Sequence, residues 1–146
     1  MSETILEVKH LKTYFFNGSS VLRASDDLSY SVKKGECVAI VGESGSGKSV
    51  SALSVMRLIP YPPGLTLGGE ILFHGKDLLK LSDEEMGELR GSKISMIFQD
   101  PMTSLNPLFK IGDQITEAIL THHKIKKEDA KKRALEMLRL VGIPSP

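Results

Sequence analysis

The chain has 146 residues, 40% hydrophobic and 25% charged, which suits one globular domain or part of a larger one. Nineteen basic residues against 18 acidic ones leave a net charge of +1, so no global charge draws the chain to nucleic acid. Cys37 is the only cysteine, which rules out an internal disulfide and fits a reducing, intracellular compartment. Its place in an apolar run predicts a small buried hydrophobe. The opening MSETILEVKH lacks the basic-then-apolar order of a signal peptide. No apolar run approaches the roughly 20 residues of a membrane helix, so any work at a membrane needs other chains to span it.

In chain order, ILEVKHL and LSYSV read as strands. The second alternates Leu28, Tyr30 and Val32 with Ser29 and Ser31, the pattern of an antiparallel layer with one wet face. Lys33-Lys34-Gly35 is a turn. Cys37 to Val41 is apolar without alternation, which predicts a strand buried on both faces in a parallel sheet. GKSVSALSVMRLI follows as a helix, with Val50, Leu53 and Met56 on one face and Pro60 as its stop. YPPGLTLGG reads as a loop and EILFHG as a short strand. Ser82 and Glu85 predict a capping box at the start of a helix over SDEEMGELRG. KISMIF reads as a second apolar strand. Two more helices follow, one with Ile111, Ile115, Ala118 and Ile119 at helical spacing. The other turns Ala134, Leu138 and Val141 inward and stops at Gly142 and Pro144.

VGESGSGKSV, between the first apolar run and its helix, combines three glycines with a lysine. Gly42-x-x-x-x-Gly47-Lys48-Ser49 fits the P-loop pattern. Phosphate oxygens must lie against several backbone N–H groups, and side chains would hold them off. Gly42, Gly45 and Gly47 permit the approach and the unusual dihedrals. The following helix points its positive end at the phosphates. Lys48 is a point charge for the β- and γ-phosphates, and the Ser49 hydroxyl suits Mg²⁺. The pattern arises by chance in about one chain in a hundred of this length, and the flanking strand and helix are the right context. No Asn-Lys-x-Asp is present, as a GTPase would use to read guanine, and the loop lies farther from the N-terminus than in a typical small-molecule kinase.

GECVAIVGESGSGKS followed by ISMIFQDPMTSLNP resembles the nucleotide-binding subunit of an ABC transporter. FQDPMTSLNP, IGDQI and GEILFHGKDLLKLSDEEM are similar to its oligopeptide/dipeptide (and nickel) importer branch. The resemblance runs over essentially the whole chain. It implies an α/β fold: a P-loop NTPase core, an N-terminal antiparallel β layer over residues 1–35, a core over 36–100, and the start of an α-helical subdomain over 101–146. It implies ATP and Mg²⁺ as cofactors. Gln99 matches the Q-loop glutamine, which contacts Mg²⁺ and the attacking water. Lys48 and Gln99 would serve catalysis. Ser49 and Gln99 would hold the metal, and Gly42, Ser44, Gly45, Gly47, Lys48, Ser49 and Val50 the nucleotide. Family members stack adenine on an aromatic ring, and here spacing favours Phe15, then Tyr14, of Tyr14, Phe15 and Phe16. DPMTSLNP would lie near the surface that docks membrane subunits. The implied partners are those subunits, a second nucleotide-binding subunit and, indirectly, a solute-binding receptor, with no nucleic acid. The implied place is the cytoplasmic face of the membrane.

The family also uses an apolar run ending in Asp-Glu, of which Asp holds Mg²⁺ and Glu activates water. No such run occurs here, nor does Leu-Ser-Gly-Gly-Gln; LTLGGE, at Leu65 to Glu70, comes too early to serve. His122 and His123 precede any signature motif and read as surface residues, not as the family's switch histidine. The chain is therefore expected to be the N-terminal half of an ATPase subunit, binding nucleotide at most by itself. The alternative is a non-catalytic nucleotide-binding or interaction fragment. Six Lys/Arg within residues 124–133 read as the solvated face of a helical pair, with Glu128 and Lys132 spaced to pair.

Overall fold

A computed structural model describes residues 3–100 and 104–145. The chain divides into two compact units, residues 1–90 and 91–146.

The first unit is built on an antiparallel sheet in the order β2-β1-β3-β4. β1 is Thr4–Asn17, β2 Ser20–Lys33, β3 Gly64–Phe73 and β4 Lys76–Asp77. β1 and β2 form a long hairpin closed at Gly18, whose φ of 58° suits glycine. The strands extend well beyond the two segments legible by alternation. Lys33-Lys34-Gly35 turns as expected, with the Glu36 N–H donating to the Lys33 carbonyl. The segment expected as a loop from Gly64 onward is instead the first half of β3, paired with β1. Its pairing shifts register near Gly68 and Gly69, and a Cβ on Gly69 would meet the carbonyls of Lys9 and His10 at 2.5 and 2.7 Å. A Gly pair therefore reads as loop but here allows a bulged strand to pass close to its neighbour.

Val8, Leu11, Ile71, Leu78 and Met86 are fully buried between the sheet, a 3-10 turn at Leu78–Lys80 and helix α2, Asp83–Leu89. Each such side chain contributes roughly 1.5–3 kcal/mol by leaving water. The capping box is present: Ser82 Oγ accepts from the Glu85 N–H, and the Glu85 carboxylate accepts from the Ser82 N–H. Helix α1, Lys48–Val55, lies against β1. Its buried face is Ser51, Ser54 and Val55, not the expected Val50 and Leu53, although Met56 just beyond is buried as expected. The Ser54 hydroxyl explains the difference. It bonds to Thr13 Oγ1 at 2.9 Å and to the Val50 carbonyl at 2.8 Å, so polar atoms are satisfied inside the contact.

Residues 37–41, expected as a strand buried in a parallel sheet, are not a strand. Cys37 is exposed rather than buried, and Val41 is 90% exposed. Residues 93–98 likewise form no strand beyond an isolated bridge at Ile94, and Ile97 is 96% exposed. Apolar side chains favour a buried strand, but only hydrogen-bonded neighbours make one. Among the described residues, none pairs with either segment in a ladder.

The second unit carries α3, Ile111–His122, and α4, Lys127–Leu140, which pack on each other. Ala130 and Ala134 are buried, and their small side chains let the helices approach. Leu138 is half-buried as expected in direction, but Val141 is exposed beyond the end of α4. The basic residues of α4 are exposed, and Lys132 reaches Asp129 at 3.9 Å. No described helix is long and apolar enough to cross a membrane. Part of the expected docking segment, Pro101 to Thr103, lies outside the described residues.

Candidate functional site

The P-loop region shows why its glycines are there. Gly47 is the N-cap of α1 with φ +88°, and a Cβ on it would sit 1.9 Å from the Ala24 carbonyl oxygen of β2. The loop thus enters the helix pressed against the backbone of the β layer, which only glycine permits. Gly45 has φ +81° with open space around it, so its requirement is conformational alone. A Cβ on Gly42 would lie 2.6 Å from Ser46 Oγ. The loop turns tightly, with the Ser46 N–H donating to the Glu43 carbonyl.

The Lys48 ammonium folds back over the loop. It donates to the carbonyls of Gly42 at 2.7 Å and Glu43 at 2.6 Å. This places the cation over the loop, where it would meet an anion held by the N–H groups of the loop and of the first turn of α1. No acidic side chain occupies that turn to compete. Ser44 is exposed on the loop, Ser49 is exposed on the first turn of α1, and Val50 is half-buried there.

A cavity of about 420 Å³ opens here, lined among others by Gly42, Ser46, Gly47 and Lys48 from the loop and by Arg23 and Asp26 from β2. That volume lies in the range of small-molecule sites. A larger cavity, about 600 Å³, lies on α3 and α4 between Asp113, Glu117 and Lys127. It has no glycine loop and no cradle of backbone amides, so size does not decide between them.

Arg23 and Asp26 were missed in the sequence because they belong to an ordinary-looking strand. Two adjacent carboxylates in a segment that otherwise alternates were the available signal. The Tyr14 hydroxyl donates to Asp26 Oδ1 at 2.7 Å, and the Arg23 guanidinium carbon lies 5.7 Å from the Tyr14 ring centroid. The bond from Tyr14, then the charges of Arg23 and Lys12, hold the Asp26 carboxyl below its ordinary range. The same bond pushes the Tyr14 hydroxyl up. Phe15 is half-buried, its ring edge 2.8 Å from where a Gly64 Cβ would be, next to Ile59. Gln99 lies exposed at a bend in the second unit. Among the described residues, no group of His, Cys, Asp and Glu could hold a metal ion. The glycine cradle, with Lys48 over it and the Ser49 hydroxyl on the adjoining turn, fits a magnesium-bound polyphosphate.

A family model described as ABC transporter matches residues 25–145. The chain is 57% identical over 142 residues to the oligopeptide transport ATP-binding protein OppD of Bacillus subtilis, covering 97% of this chain and 40% of that protein. It is 50% identical over 142 residues to the dipeptide transport ATP-binding protein DppD of Escherichia coli, covering 97% and 43%. The chain therefore spans about two fifths of the length of these relatives. Its fold is similar to a solved dimeric ATP-binding cassette, MJ0796, bound to ADP and phosphate. The TM-score is 0.81 at 25% identity, over 97% of this chain and 59% of that one.

Proposed function

The chain belongs to the ABC transporter family, and from that premise we propose that it is the nucleotide-binding portion of a subunit that couples ATP binding and hydrolysis to uptake of peptides or similar small solutes. One observation carries the nucleotide part: the Lys48 ammonium folds over the glycine loop, donating to the Gly42 and Glu43 carbonyls, beside a first helical turn of α1 that holds no acidic side chain. Similarity to OppD and DppD supports the peptide part.

In this reading the backbone N–H groups from Gly42 to Val50, with Ser44 among them, surround the phosphates. Lys48 exchanges its loop carbonyls for β- and γ-phosphate oxygens, a trade of neutral acceptors for charged ones that favours the bound state. Ser49 would hold Mg²⁺ through its hydroxyl, and Gln99 remains a candidate for the metal by its sequence pattern alone. Magnesium, when bound, would supply charge neutralisation at the phosphates. Phe15 is the aromatic proposed for the base by its spacing, with Tyr14, bonded to Asp26 of the cavity wall, as the alternative. The partners proposed are membrane subunits, a second nucleotide-binding subunit and a receptor reached through the membrane subunits. The place proposed is peripheral, on the cytoplasmic face of the membrane, with hydrolysis a property of the whole protein.

Uptake of a labelled oligopeptide by cells carrying the full-length protein tests this. Lys48→Ala should abolish uptake at unchanged protein level. Uptake that persists in that variant would rule the reading out.

A further inference from the structure

The first turn of α1 forms one side of the phosphate cradle, yet apolar packing does little to hold that helix in place. Its buried residues are Ser51, Ser54 and Val55, with Met56 just beyond. Its N-cap is Gly47, which offers no side-chain capping bond. Another contact must fix where the helix sits on the sheet.

Where Ser54 meets the sheet, the strands present a row of hydroxyls. Thr13 on β1 is the cross-strand partner of both Ser25 on β2 and Thr66 on β3. Thr13, Ser51 and Ser54 are all buried to within 1%. A hydroxyl has a single proton to donate. Ser54 gives its proton to the Val50 carbonyl at 2.8 Å, so Thr13 is the donor in the 2.9 Å bond to Ser54. Thr13 then has only lone pairs left for Thr66, at 3.4 Å. The bonds run one way, from β3 through β1 to a carbonyl in the first turn of α1.

A hydrogen bond weakens steeply when misaligned, while apolar contact is non-directional. This chain of hydroxyls therefore sets position more than adhesion. The tolerance for position is small. A Cβ on Gly47 would lie 1.9 Å from the carbonyl oxygen of Ala24, the residue beside Ser25. Ser51, one turn before Ser54, lines the phosphate cavity and donates to the Lys48 carbonyl at 2.7 Å.

We propose that Thr13 and Ser54 are positioning residues for the nucleotide. Their bond sets the register of α1 on β1, and through α1 it places the first-turn N–H groups and Lys48 against the phosphates. Neither residue lines the cavity itself. The proposal rests on the nucleotide-binding reading above. Thr13→Val shows how it works. A methyl group in place of Thr13 Oγ1 needs about 3.5 Å from Ser54 Oγ, where the bonded oxygen sits at 2.9 Å, so the helix must retreat by roughly 0.6 Å. Displacements of that size are enough to spoil the fit of a preorganised site.

The test is calorimetric titration of the full-length protein with Mg-ATP, at a temperature where circular dichroism shows every variant folded. Thr13→Val should weaken binding by about three- to tenfold. Thr13→Ser keeps the donor and should stay within about twofold of the unaltered protein. Ser54→Ala should add little in the Thr13→Val background, because the bond is already gone. Ser82→Ala breaks the capping box of α2 instead and should leave affinity unchanged, which separates positioning from a general loss of stability. Unchanged affinity in Thr13→Val would overturn the proposal and leave the nucleotide reading standing. So would failure of Thr13→Ser to restore binding, equal weakening by Ser82→Ala, or full additivity of the Thr13 and Ser54 changes. An unaltered protein that binds no Mg-ATP would sink both.

Discussion

Replacing Gly47 by alanine separates two reasons for a glycine that usually act together. The first is conformational: an L-residue at φ +88° costs about 1–2 kcal/mol. The second is steric: the new methyl would lie 1.9 Å from the Ala24 carbonyl oxygen, backbone on both sides, and roughly 1 Å must open between loop and sheet. Overpacking of that kind adds about 1–3 kcal/mol. Gly47→Ala should therefore lower the unfolding free energy by about 3 kcal/mol. Gly45→Ala is the internal control, since it shares the positive φ but meets nothing within 4 Å. It should cost only about 1 kcal/mol. Urea unfolding of both variants reads the difference, and Mg-ATP titration should show at least about a tenfold greater loss of affinity for Gly47→Ala, because the cavity wall itself must shift. If Gly47→Ala is no more destabilising than Gly45→Ala, the loop is not pressed on β2 as described.

Three further outcomes follow from the first unit. Thr13→Val removes the buried bond to Ser54 while Ser54 keeps its Val50 acceptor, so urea unfolding should show a loss of about 1 kcal/mol; no loss would mean the hydroxyl pair is incidental. Ser82→Ala breaks the capping box of α2 and should cost about 1 kcal/mol by the same measurement. For Asp77, burial pushes the carboxyl up, but the Lys80 ammonium and the N–H groups of Leu79 and Ile71 together outweigh it and hold the carboxyl below its ordinary value. The folded state then binds this proton less readily than the unfolded one, so the contribution is present above the ordinary Asp value and fades as pH falls through the lowered one. Urea midpoints from pH 6 to about pH 2.5 should show the gap between the unaltered chain and Asp77→Asn shrinking with acid; a constant gap would contradict this.

The sequence was most legible where one residue type has one job. The capping box at Ser82 and Glu85 forms as its spacing predicts, and a helix begins at Lys48 directly after the glycine loop. It was least legible where tertiary contacts override local pattern. Ser54 faces inward where Thr13, far along the chain, offers a partner, and Ser51 beside it donates back to the Lys48 carbonyl. Gly68 and Gly69 looked like loop because only the close pass of Lys9 and His10 explains them in a strand. Cys37 to Val41 reads as a buried strand by composition, but composition names a preference and not a neighbour. Arg23 reaches the site only through the hairpin register that sets it beside Tyr14.

The central claim is that residues 42–49 form a polyphosphate cradle worked by Lys48. Calorimetric titration of Mg-ATP into the full-length protein, beside Lys48→Ala, tests it most directly. Saturable binding at one site per chain, lost on removing the ammonium while the fold persists by circular dichroism, is the result predicted. Equal affinity in Lys48→Ala would contradict the account, because the nucleotide would then be held somewhere other than this loop.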